Sequence, residues 1–201
     1  MALVVFLRGV NVGGHRRFRP SLLATQLERY DVVNIGAAGT FVVRNAGSRS
    51  AFEAALRSAL PFDTHVMICD ARDLLCAHAE HPYDARPPRA GVVRFVSVRS
   101  KASRLQPSLP VQLPHAGRWL VRVLAVEGQF VFGEYRRHMK TIGYLGQLDK
   151  LVGGPVTTRN WNTIATIVAL LAQPNSAPTL RASTLRTSRS ERAPRGSTDR
   201  A

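Results

Sequence analysis

The chain has 201 residues, 45% of them hydrophobic, which suits one ordinary domain or two small ones that share a core. Its formal net charge is +15, and because residues 172–201 hold six arginines and two acids, residues 1–171 keep +11. The longest apolar runs, Ala2–Leu7 and Ile164–Ala172, are far shorter than the roughly 20 residues of a membrane span, and the first has no basic leader of a signal peptide. We therefore expect a basic, soluble, cytoplasmic protein with no membrane partner.

The N-terminal half predicts an α+β fold of the ferredoxin-like type. Ala2–Leu7 is a continuous apolar run, typical of a buried strand. The elements predicted after it are a helix over Pro20–Arg29, strands over Val32–Ile35 and Thr40–Val43, a helix over Ser50–Leu60 and a strand over His65–Cys69. The order βαββαβ is that of the ferredoxin-like plait, which we expect over residues 1–69.

The second half alternates helices and strands more loosely. Its predicted elements are a helix from Asp70 to about His81, a strand over Val92–Val98, a hairpin of Trp119–Val126 and Gln129–Tyr135 around Glu127-Gly128, and helices over Leu145–Val152 and Asn160–Ala172. We expect residues 70–172 to form a second α/β subdomain interlocked with the first. Residues 173–201 contain almost no large apolar side chain, which predicts a disordered basic tail.

The two cysteines, Cys69 and Cys76, both lie in apolar stretches. Two thiols build no disulfide framework, so both are predicted to be small buried hydrophobic residues. Cys76, His78 and His81 have a spacing that a metal site can use, but no second pair of ligands follows. The sequence therefore predicts neither a metal nor another cofactor.

A glycine-rich basic segment, Leu7–Arg17, connects the first predicted strand to the first helix. Such a loop can turn backbone N–H groups toward an anion, and arginine side chains can fork onto phosphate oxygens. Its spacing matches neither the dinucleotide fingerprint nor the P-loop. Two interpretations stay open, a structural turn and an anion site formed by Arg8, Gly9, Asn11, Gly13, Gly14 and Arg16.

A second polar segment, Thr157–Thr163, precedes the last predicted helix. Thr158 or Asn160 can cap that helix. The free N–H groups of its first turn, together with Arg159, can also hold an anion. Helix capping and anion binding are therefore both open for Thr158, Arg159 and Asn160. We expect this segment and the glycine loop to lie close together, in a shared site or seam.

Leu7–Gly14 and Thr157–Thr163 together resemble the two signatures of the bacterial domain-of-unknown-function family 1697, and His81-Pro82-Tyr83 is similar to its Asn-Pro-Phe step. The resemblance spans about residues 3–172. It implies a plait-like α/β architecture of two interlocked subdomains and supplies no activity, substrate or cofactor. Members usually carry Ser-Gly-Asn where this chain has Ala38-Gly39-Thr40, which implies that any ligand contact of those polar groups is largely lost here.

The sequence favours a binding module over an enzyme, because no nucleophile elbow surrounds any serine. Its positive charge suits a phosphate-bearing partner such as nucleic acid or a phosphorylated ligand. Two alternatives stay open. Arg8 and Asn11 resemble the layout of acylphosphatases, which allows a small hydrolase or transferase acting on a phosphate- or carboxylate-bearing molecule. The two polar segments could also serve folding alone, in a protein-interaction module. The sequence assigns no catalytic residue and no oligomeric state.

Overall fold

The computed structural model describes residues 1–11, 18–102 and 107–173. The predicted disordered tail lies outside these ranges except for its first residue, as do Gly13, Gly14 and Arg16. The strands in the described ranges are β1 (Leu3–Leu7), β2 (Val32–Asn34), β3 (Thr40–Val43), β4 (Val66–Asp70), β5 (Val92–Arg99), β6 (Val111–Leu113), β7 (Val121–Glu127), β8 (Phe130–Arg136) and β9 (Val156–Asn160). The helices are α1 (Pro20–Gln26), α2 (Arg49–Ala59), α3 (Ala71–Ala79), α4 (Thr141–Gly146), α5 (Leu148–Val152) and α6 (Trp161–Ala172), with a 3₁₀ turn at Glu28–Tyr30.

The first sheet is antiparallel, with the strand order β2-β3-β1-β4. Every residue of β1 is buried, as the continuous apolar run predicts for a strand covered on both faces. Helix α1 begins at Pro20, which is tolerated there because a first-turn N–H needs no helical partner. Helix α2 begins after Ser48, whose hydroxyl accepts from the N–H of Ala51. The predicted elements of this half are therefore present, with shifts of a few residues at their ends.

The second sheet is also antiparallel, in the order β6-β7-β8-β5-β9. The predicted hairpin is β7-β8, but its turn lies one residue later than expected. Glu127 still pairs with Phe130, and the turn residues are Gly128 and Gln129, with the positive φ of 53° at Gly128. Glycine adopts that φ without steric cost, which explains the position of the turn.

The two sheets pack face to face through a shared core. Alternate residues of β1, including Val4 and Phe6, belong to the same buried cluster as alternate residues of β5 and β8, including Val96 and Phe132, and α6 adds Ile164 to it. Helices α1 and α2 cover the opposite face of the first sheet. Helices α4 and α5 cover the opposite face of the second. Both sheets are therefore covered on both faces over most of their area.

Two local predictions are wrong, and strand β9 has no counterpart among the predicted elements. Thr157–Asn160 lies in β9, which pairs with β5, and Asn160 at its end caps the helix that begins at Trp161. The single helix over Leu145–Val152 is two short helices, α4 and α5. Cys76 is exposed because it lies on the outer side of α3, whereas Cys69 is buried, and burial raises the pKa of its thiol to about 12. No helix in the described part of the chain is both long and apolar enough to cross a membrane.

Candidate functional site

Arg159 joins the two polar segments that the sequence singled out. Its side chain on β9 is only 8% exposed. Burial lowers the pKa of its guanidinium to about 10, so the group is still charged at neutral pH. It donates to protein oxygens at 2.7–2.9 Å: the hydroxyls of Thr40 and Thr157 and the carbonyls of Leu7, Ala38 and Thr158. The expectation that the two segments meet is confirmed, and we call these residues the seam.

The seam uses all the donors of Arg159. A guanidinium has five N–H groups, and the five contacts at 2.7–2.9 Å distribute as one from Nε and two from each terminal nitrogen, with a longer sixth contact of 3.4 Å to the carbonyl of Gly39. An anion at this position would have to displace a protein oxygen. Thr158 is also engaged, through a hydroxyl contact of 2.6 Å with Ser97. Asn160 caps α6 as expected, its Oδ1 accepting from the N–H of Thr163 at 2.8 Å.

The described part of the glycine loop is held by its own side chains. Arg8 forms a salt bridge of 2.6 Å with Asp149, in the loop's only charged contact among the described residues. Gly9 and Asn11 adopt positive φ values of 64° and 56°, a conformation that glycine and asparagine tolerate best. The Asn11 amide donates to the carbonyls of Phe18 and Ala37 and accepts from the N–H of Phe18. Asn11 therefore ties together the two ends of the loop.

Ala38-Gly39-Thr40, which replaces Ser-Gly-Asn of the resembled family, also belongs to the seam. Gly39 has a φ of +68°, and a Cβ there would lie 2.7 Å from the Val10 side chain and 2.9 Å from Leu7. The carbonyl of Ala38 and the hydroxyl of Thr40 both accept from Arg159. In this chain the stretch therefore makes structural contacts.

Tyr83, of the His-Pro-Tyr step, is buried beneath the second sheet. Its hydroxyl donates to the carbonyl of Phe95 and accepts from the N–H of Gly133 at 3.1 Å. Burial raises the pKa of this phenol, so it stays protonated. Tyr83 thus anchors the following loop to the paired strands β5 and β8.

A further constellation, which the sequence analysis missed, lies beside that loop. It is a cavity of about 410 Å³ that we call the arginine cleft. Its charged lining residues are five arginines and two carboxylates: Arg86, Arg89, Arg94, Arg122, Arg136, Asp84 and Glu134. The net charge of this set is +3. The cleft is therefore a concentrated positive site within a basic protein.

Strand register builds the floor of the cleft. Glu134 on β8 stands opposite Arg94 on β5 and opposite Arg122 on β7. Cross-strand partners of this kind lie close enough for their side chains to pair. Glu134 is 7% exposed and accepts from Arg122 at 2.6 and 2.9 Å, while Arg94 Nε lies 3.5 Å from its other oxygen. One buried carboxylate is thus shared by two guanidinium groups.

Trp119 positions the arginines at one side of the cleft. The guanidinium carbons of Arg122 and Arg136 lie 4.8 and 4.2 Å from its ring centroid, within the range of cation–π attraction. Arg94 stacks similarly on Tyr83 at 5.1 Å and donates to the carbonyl of Arg86 at 2.7 Å. The aromatic rings therefore hold three guanidinium groups before any ligand arrives.

The cleft contains more hydrogen-bond donors than acceptors. The Nε of Arg136 is buried and has no hydrogen-bond partner among the described residues, and the Nε of Arg94 has only its 3.5 Å ion-pair contact with Glu134. Arg86 and Arg89 are exposed on the loop that borders the cavity. Burying a donor without an acceptor is unfavourable, and such groups are rare in proteins. The arrangement therefore suits an acceptor-rich anion.

Comparison with known proteins gives a family and a fold. The model of the family described as "Protein of unknown function (DUF1697)" matches residues 1–112. The solved structure of the conserved bacterial protein SP0830 from Streptococcus pneumoniae aligns with a TM-score of 0.56 and 14% identity, covering 85% of this chain and 98% of that chain. At this identity the similarity shows the fold alone. No curated protein matches the chain.

Proposed function

The chain belongs to the DUF1697 family of proteins of unknown function, and we propose that it is a binding module for a phosphate-bearing partner, nucleic acid above all, held in the arginine cleft. The observation that carries this proposal is the composition of the cleft, whose lining has five arginines and only two carboxylates. Phosphate oxygens accept hydrogen bonds from guanidinium groups in pairs, which adds geometric specificity to the charge attraction.

The arginine side chains that aromatic rings already hold in place support the same proposal. Ordering a long side chain on binding costs about 0.5–1.5 kcal/mol. Trp119 and Tyr83 already hold the guanidinium groups of Arg94, Arg122 and Arg136. A phosphate would therefore meet donors whose conformational freedom is already reduced.

The contacts of the glycine loop and the seam direct the proposal to the cleft. Arg8 is paired with Asp149, and the polar atoms of Asn11 and Arg159 bind protein groups. The hydrolase or transferase alternative would need the side chains of Arg8 and Asn11 to be free, so these contacts do not favour it. The anion site at Thr158, Arg159 and Asn160 stays a prediction that binding experiments can address.

We also infer that residues 1–69 form a ferredoxin-like plait. The chain order β1-α1-β2-β3-α2-β4 and the antiparallel strand order β2-β3-β1-β4 support this inference. Residues 70–172 would then be the second subdomain, interlocked with the plait through the shared core.

A binding titration tests the function. The probe is a fluorescein-labelled oligodeoxythymidine of twelve nucleotides, measured by fluorescence anisotropy at several salt concentrations. We expect binding that weakens with salt, and a loss of about tenfold in affinity for each arginine in Arg86→Ser/Arg89→Ser, near the lower end for a lost charge-assisted hydrogen bond. The salt slope should fall by about 1.4, at about 0.7 per phosphate of a single strand.

The matched control removes the same charge elsewhere. Arg29 and Arg57 are exposed on the helical side of the first sheet, and Arg29→Ser/Arg57→Ser should change affinity by less than about twofold. Equal losses in both double variants would mean that only total charge matters. No binding by the unaltered protein at low salt would contradict the proposed function.

A further inference from the structure

An exposed apolar tip lies directly beside the arginine cleft. Met139 is 93% exposed and Ile142 is 79% exposed. We call residues 137–142 the apolar tip. It follows β8 at once, so Met139 is three residues from Arg136 of the cleft. Because the chain extends by no more than about 3.6 Å per residue, the Cα atoms of Met139 and Arg136 lie within roughly 11 Å of each other.

Hydrogen bonds hold the tip in a defined conformation. The Thr141 hydroxyl donates to the carbonyl of Arg136 at 2.6 Å, and the Thr141 N–H donates to the carbonyl of His138 at 3.0 Å. The N–H of Lys140 donates to the His138 ring at 3.2 Å. The two apolar side chains are therefore presented by an ordered turn, with their apolar surface in water.

The charged residues of the tip's own segment are all of one sign. Arg137 and Lys140 are exposed beside Met139. The sequence from 135 to 148 contains no aspartate or glutamate. The tip thus combines two apolar side chains with cations that continue from the cleft, which suits a partner that carries both flat apolar groups and negative charge.

We propose that the partner is single-stranded nucleic acid, with its phosphates in the arginine cleft and an unpaired base against Met139 and Ile142. This inference rests on the proposed function. Isoleucine and methionine are among the apolar side chains that DNA-binding proteins insert between the base steps of a duplex, where they contact base faces. An unpaired base offers the same apolar face without the cost of unstacking a duplex step.

The recessed position of Arg94 favours a single strand over a lipid bilayer as the partner. The side chain of Arg94 is only 12% exposed. A flexible strand can enter such a cleft, whereas a flat headgroup surface can reach only the exposed loop and tip.

The experiment measures the contribution of the bases to binding separately from that of the phosphates. We compare the same oligodeoxythymidine with an abasic oligomer that has equal length and phosphate count, using the full chain. Met139→Ser/Ile142→Ser should weaken binding of the oligodeoxythymidine by up to about tenfold, because an aliphatic contact with a base should contribute no more than the weaker of the stacks that bases form on aromatic side chains. Binding of the abasic oligomer should be unchanged. Leu22→Ser, at a 57% exposed leucine on α1, is the control and should change neither.

Failure of the inference differs from failure of the proposed function. An equal effect of the tip variant on both oligomers, or none on either, would overturn the base contact while the effect of Arg86→Ser/Arg89→Ser remained. Loss of binding to phosphatidylglycerol vesicles in the tip variant, with unchanged oligodeoxythymidine binding, would also overturn it and assign the tip to membranes. If the arginine variant binds both oligomers as the unaltered protein does, the cleft itself is not the site.

Discussion

Arg159 shows how one side chain determines the contact between distant parts of the chain. Its charge is buried, and its partners at 2.7–2.9 Å are neutral hydroxyl and carbonyl oxygens. Burying a charge is unfavourable unless hydrogen bonds satisfy it. The planar fork of arginine can meet five acceptors at once, which the ammonium of lysine cannot do. The position therefore requires arginine for its geometry as well as its charge.

Arg159→Lys should lower the free energy of unfolding by about 3 kcal/mol. The substitution keeps the charge but loses at least two hydrogen bonds to a charged group, each of about 1.5–3 kcal/mol. Urea denaturation followed by circular dichroism measures the change. Arg57→Lys is the control, because Arg57 forms an exposed helical ion pair with Glu53, and such pairs contribute little. Similar midpoints for both variants would show that the seam does not depend on the fork.

At the scale of elements, strand β8 carries both the shared core and the cleft. Phe130 and Phe132 face the core, and Glu134 and Arg136 continue the same face into the cleft. Gly133 lies between them on the opposite face. A Cβ at Gly133 would clash with the carbonyl of Arg122 and would lie 2.6 Å from the Phe95 ring. Position 133 therefore requires glycine, because the backbone of β7 and the ring of Phe95 both lie too close to β8 for a side chain at this position.

Gly133→Ala and Gly143→Ala should change stability in opposite directions. Overpacking at Gly133 should lower the free energy of unfolding by about 1–3 kcal/mol, because backbone cannot move as easily as a side-chain end. Gly143 lies in α4 with nothing within 4 Å of an added Cβ, so alanine there should raise stability by about 0.4–1 kcal/mol. Thermal melts of both variants provide the comparison, and a stabilising Gly133→Ala would contradict the packing of β7 on β8.

At the scale of the whole molecule, neither sheet is complete without the other. The face of the first sheet that carries Val4, Phe6 and Met67 is covered by the second sheet and by α3 and α6. The seam and the Arg8–Asp149 salt bridge connect the same two halves. The proposed subdomains thus share one core, and their folding should be coupled.

A fragment of residues 1–69 should therefore fail to fold alone, and the full chain should unfold in one cooperative transition. The fragment would expose the apolar face that the second half covers. Circular dichroism and amide proton dispersion of the fragment, and the agreement of calorimetric and van't Hoff enthalpies for the full chain, test both statements. A fragment with dispersed resonances, or two separate transitions, would show that the halves fold independently.

Local patterns in the sequence determined much of this protein. The continuous apolar run of β1, Pro20 at the start of α1 and Asn160 at the start of α6 are each sufficient to place an element end. These signals arise from steric limits and from hydrogen bonds between residues a few positions apart. The contact of the two polar segments was also predictable, because both are polar and belong to one compact chain.

Only the tertiary structure decided that Thr157–Asn160 pairs as a strand and that Arg94, Arg122 and Arg136 meet in a cleft. The polar residues that precede a helix look the same in sequence whether they form a loop or a short strand. In this protein they form a strand because they pair with β5. The cleft depends on the register of three strands, including the irregularity between Val123 and Ala125 on β7. A shift of one residue would turn each of these side chains to the opposite face. Register is set by packing between distant segments, and for that reason no local pattern of arginines could reveal the site.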